Sequence, residues 1–145
     1  YNMRSDILNE NSGATFKHKK KVQSINADIT LTNEDSGKVF MLDAAGGTVA
    51  ITLPTASSGE DGVYYKFIVE EETPGNAITI AAGSAIVSFV GLDVSGTAAS
   101  TAGTQVSNVI IGTSAQKGDV VELMFTKGEY VGTALSGING AITTS

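Results

Sequence analysis

Apolar residues in this chain come in short runs that alternate in twos, and a turn-forming cluster ends each run within about ten residues. In "TVAITLP" (48–54), Val49, Ile51 and Leu53 fall on one side and Thr48, Ala50 and Thr52 on the other, and Pro54 stops the run. In "VYYKFIVE" (63–70), Val63, Tyr65, Phe67 and Val69 oppose Tyr64, Lys66, Ile68 and Glu70. Val121, Leu123 and Phe125 likewise oppose Glu122, Met124 and Thr126. "NEDSG" (33–37), "AGG" (45–47), "TASSGEDG" (55–62) and "EETPGNA" (71–77) are turns by their Gly, Asn, Asp, Ser and Pro chemistry. This period of two leaves no room for ordinary helices; only residues 5–10 hint at a helical turn. The expected fold is all-β: a single antiparallel sandwich or small barrel of about 8–9 short strands.

The remaining runs fill in that outline. "VQSINADITLT" (22–32) begins the strands, and "KVFMLDA" (38–44) is apolar enough to be covered on both faces. "AITIAA" and "AIVSFVGL" read as two strands around Gly83-Ser84. "DVSGTAASTAGTQ" (93–105) reads as a long loop, and "VSNVIIG" (106–112) as a further strand. "TKGEY" (126–130) suits a tight hairpin, with Gly128 at positive φ. "ING" (138–140) is a turn near the end of the chain. No internal repeat of fixed period is visible, so neither a propeller nor a solenoid is expected.

Charge divides the chain. Residues 1–21 carry five basic residues against Asp6 and Glu10, whereas residues 22–145 carry four lysines against thirteen acids. The division expected is a basic, extended arm (1–21), a β body (22–135) and a short tail (136–145). An acidic body repels phosphate, so no nucleic-acid partner is expected. No apolar run approaches the roughly 20 residues of a membrane span, and no secretory core stands near Tyr1.

The inventory for chemistry is thin. There is no Cys, and His18 is the only histidine, which leaves no cysteine nucleophile, multi-His metal site or credible Ser-His-Asp arrangement. "DSGKVFMLDAAGG" (35–47) places Gly37-Lys38 before Val39 and a strand, where a phosphate loop needs an earlier glycine, Ser or Thr, and a helix. Asp35 and Asp43 read as turn-formers that cap backbone N–H groups. Glu70, Glu71 and Glu72 read as a solvated strand end, and no two carboxylates are set across a cleft as glycosidases require. Glu60 and Asp61 are the pair a weak calcium site would use. The chain is expected not to be an enzyme, with no cofactor, resident metal or small-molecule substrate.

One resemblance runs along these strand and turn motifs. "DITLTNEDSGKVFMLDAAGG", then "VAITLP", "YYKFIVEE", "ITIAA" and "KGDVVELMFTKGEYVGTAL" together resemble the small β-structured virion proteins of tailed bacteriophages known as head decoration, or cement, proteins. The resemblance covers about residues 28–135. It departs at Glu129-Tyr130, where that pattern usually has a Trp, and in the continuation "VGTALSGINGAITTS". It implies a structural protein on the capsid exterior that binds the major capsid protein and itself, as a homotrimer. Phe16, Lys17, Lys19, Lys20 and Lys21 are the arm contacts expected for that role. The alternative is a glycan- or receptor-binding module of a phage fibre or cell-surface appendage, with Tyr64 and Tyr130 as the stacking rings.

Overall fold

A computed structural model describes residues 19–55, 61–71, 74–93, 98–100 and 106–145. The fold is all-β, with two mixed sheets packed as a sandwich. The front sheet is β1 (Val22–Ile25), β3 (Val39–Leu42), β5 (Tyr64–Val69), β9 (Val120–Thr126) and β10 (Glu129–Ser136), hydrogen-bonded in that order. The back sheet is β2 (Ile29–Thr30), β4 (Val49–Thr52), the first part of β6 (Ile78–Asp93), β8 (Val106–Ile111) and β11 (Ile142–Thr144). The second part of β6 leaves the back sheet, lies parallel to β10 and pairs with β7 (Ala98–Ser100).

The first six strands alternate between the sheets, front then back, and this winding makes like-sheet neighbours parallel. β1 pairs parallel with β3, and β3 with β5; β2 pairs parallel with β4, and β4 with β6. An all-antiparallel sandwich is therefore the wrong pairing: five of the ten described pairings are parallel. Parallel strands need a long connection, and here each connection contains a strand of the opposite sheet. The rungs stack in register. Ile25, Leu42 and Val69 form one ladder, and Ile29, Ile51 and Ile80 another. Val22 pairs with Val39 and Val39 with Lys66, so successive turns of the winding are 17 and 27 residues long. Unequal turns leave no period in the sequence.

The core lies between the sheets. Phe40, Tyr65, Phe67, Phe125 and Tyr130 are its largest fully buried side chains. The Phe40 and Phe67 rings, neighbours across β3 and β5, stack at 5.5 Å, and Phe125 meets Tyr130 edge-on at 5.3 Å. Offset and edge geometries of this kind add to simple burial. Each buried phenol finds a carbonyl: Tyr65 Oη donates to Thr32 O at 2.8 Å and Tyr130 Oη to Pro54 O at 2.9 Å.

Two expected segments take a different form. The two strands foreseen around Gly83 are one 16-residue strand, β6, broken by a bulge. Between Ala81 and Ile86 four residues of β6 stand opposite one of β8, and Gly83 takes φ +67° there. The extra residues bend the strand out of the back sheet and onto the edge of the front one. The tail is also part of the fold. β11 pairs antiparallel with β8, Ile142 is buried, and Ser145 O accepts from Ser107 N and Asn108 N.

Candidate functional site

The carboxylates foreseen as turn-formers are turn-formers. Asp43 Oδ1 accepts from Ala45 N at 3.0 Å. Asp35 Oδ2 accepts from Thr32 N at 2.9 Å and closes the short 3-10 turn Asn33–Asp35, while its other oxygen pairs with Lys38 Nζ. The Lys38 ammonium, with help from the Thr32 N–H, holds the Asp35 carboxyl below its ordinary value of 3.8. Lys38 thus belongs to a turn, and its Nζ also reaches Gln23 Oε1 at 3.5 Å.

Asp43 and Glu71 are neighbours at the surface. The hydrogen bond between them pushes Asp43 down and Glu71 up. Among the described residues no group of three or more acids and histidines is placed to hold a metal ion. Of the calcium candidates, Asp61 uses Oδ1 to accept Lys127 N at 2.7 Å, and Glu60 lies outside the described residues.

Asp119 is a polar centre that the sequence reading passed over. Its side chain is buried and accepts three hydrogen bonds: from Gln116 N at 2.9 Å, Ser136 Oγ at 2.8 Å and Gly137 N at 2.9 Å. These bonds tie the turn before β9 to the end of β10. A buried carboxylate with its lone pairs engaged by backbone N–H groups is a structural clasp. The only sequence signal was "KGD", an ordinary turn signature. No described buried side-chain polar atom lacks a partner.

The outer face of the front sheet differs from the rest of the described surface. All five exposed large apolar residues of the described chain lie on it: Val22, Val90, Met124, Val131 and Leu135. The register sets three rows across β5, β9 and β10: Tyr64–Met124–Val131, Lys66–Glu122–Thr133 and Ile68–Val120–Leu135. Lys66 Nζ and Glu122 Oε1 pair at 3.2 Å in the middle row. A shallow groove of about 460 Å3 runs over Lys66, Val90, Val120, Glu122, Thr133 and Leu135. Tyr64 is half-buried at one end of the face, where burial and the nearby Glu122 raise its phenol above 10.0.

The expected contact residues fall in different places. Tyr130 is 1% exposed and offers no ring face to a sugar, so it drops out as a glycan contact. Tyr64 keeps part of its ring at the surface, and Lys20 Nζ stands 5.9 Å from its centroid. Lys19, Lys20 and Lys21 are exposed and lead into β1, the edge strand of the front sheet. Phe16 and Lys17 lie outside the described residues. Comparison with models of known protein families and with curated proteins finds no match to this chain.

Proposed function

We propose that this chain is a structural virion protein that decorates the exterior of a phage capsid and stabilises it by binding the lattice of the major capsid protein. The observation that carries the reading is the exposed lysine run, Lys19–Lys21, at the edge of a body that is otherwise strongly acidic. It gives the protein a basic attachment point set apart from a self-satisfied fold. Charges beside an edge strand also discourage unwanted strand pairing, so the run serves the free protein as well. The strand and turn motifs of residues 28–135 support the same role by resemblance.

A non-catalytic role agrees with how the described polar groups are used. Asp35, Asp43, Asp61 and Asp119 all accept hydrogen bonds from turn backbone. Each attachment through a few lysines is weak, and many copies on a repeating lattice make it strong.

Electron microscopy of the native particle tests this. Density for the protein repeated over the capsid exterior, with residues 1–21 along subunit seams, is the expected result. Removal of residues 1–21 should abolish binding to the shell. Density confined to a fibre, with binding that survives the truncation but fails in Tyr64→Ala, would replace this role with glycan or receptor recognition.

A further inference from the structure

β10 is built inside out. Its buried positions hold Tyr130, Gly132, Ala134 and Ser136, while Val131 and Leu135 face solvent, 40% and 59% exposed. A sandwich strand normally turns its larger aliphatic residues inward, because that is where burial stabilises. With Met124, Val90 and Val22, the outer face presents on the order of 400 Å2 of apolar side chain, the size at which a patch marks a contact surface.

From this face we infer that the protein self-associates as a two-fold dimer, front sheet against front sheet. The pattern of the rows identifies the occupant. One Lys and one Glu sit side by side at the centre, flanked by an apolar row on either side. Place a two-fold axis in the contact plane, along the strands, between β5 and β9. Lys66 then lies over Glu122 of the second copy, Tyr64 over its Met124, and Ile68 over its Val120. The face is complementary to itself, as an isologous contact requires. The central charges are paired within each chain and again across the contact, so none is buried alone. With the Lys66–Glu122 pair at its centre and Lys20 beside Tyr64 at its end, the face carries no net negative charge on a chain of net charge −6, so two copies meet here without the acid–acid repulsion they would meet elsewhere.

The area makes the dimer weak. Two such faces bury roughly 1,000 Å2, the lower end of specific contacts, so association should be concentration-dependent, in the micromolar range or weaker. It is a two-fold contact, unlike the homotrimer that the resemblance implies, and it does not depend on where the protein resides.

Sedimentation equilibrium of the full chain, from low micromolar to about millimolar concentration, tests the inference. The expected result is a mass rising from one chain to two. Leu135→Asp, at a side chain that touches solvent and not the core, should weaken the dimer about tenfold or more. Lys66→Glu should weaken it similarly, and adding Glu122→Lys to that variant should restore it, while circular dichroism stays unchanged throughout. A single-chain mass at every concentration overturns the inference. So does a three-chain mass, or an assembly indifferent to these variants. A dimer that forms only after residues 1–18 are removed also overturns it, because the arm would then be what covers the face.

Discussion

At the scale of single residues, the polar side chains of this protein mostly hold loops. Asp119 is the strongest case. Replacing it with Ala leaves the part-buried N–H groups of Gln116 and Gly137 without their acceptor, while the Ser136 hydroxyl keeps Ile138 O at 3.2 Å. Urea unfolding should show a loss of about 2 kcal/mol, since two part-buried donors lose a charged acceptor. A loss under about 1 kcal/mol would mean that water replaces the carboxylate without cost. Asp35 gives a pH signature. Its carboxyl is depressed by Lys38, so the pair contributes fully above the ordinary value of 3.8 and is lost as pH falls through the folded value. The gap in unfolding midpoint between the native chain and Lys38→Met should therefore be widest near neutrality and close in acid. A gap that is independent of pH would exclude the ion pair as its source.

At the scale of elements, the strands were legible because alternation is a local signal. β4, β5 and β9 follow it residue by residue, and their expected inner faces are their buried faces. The Thr126–Glu129 hairpin was legible too, and both its central residues take positive φ, 51° at Lys127 and 85° at Gly128. Strand pairing was not legible. It depends on turns of unequal length, which no local pattern records. The bulge in β6 was hidden because Gly83-Ser84 looks the same in a bulge as in a turn between two strands. β11 was missed because "AITTS" is too short and polar to stand out, yet it covers the edge of β8. Removing residues 137–145 should cost roughly 3 kcal/mol or more, through loss of Ile142 burial and of the strand pairing. Thermal unfolding and protease resistance both read that loss, and a truncated chain that melts where the full chain does would show β11 to be ornamental. The outer face was half legible. Met124 shares its side of the alternation with Glu122, but in β10 nothing local says whether Val131 and Leu135, or Gly132 and Ala134, turn inward.

At the scale of the whole molecule, the winding decides how the chain folds. β1 must wait for β3, β3 for β5, and β5 for β9, which lies more than fifty residues further on. Loop closure of that kind precedes any reward from contact, and chains dominated by distant pairings fold in milliseconds to seconds. Stopped-flow refolding should fall in that range, and a microsecond phase accounting for the full signal change would contradict the pairing order described here. β6 gives the molecule a further property. One covalent strand serves first as the middle of the back sheet and then as a neighbour of β10 in the front sheet. In a sandwich of two separate sheets, a sideways load is resisted only by side chains sliding past one another. Here the same load pulls along a peptide backbone, so the sheets are bolted together as well as stacked, and a push on the outer face is carried straight into the far side of the body.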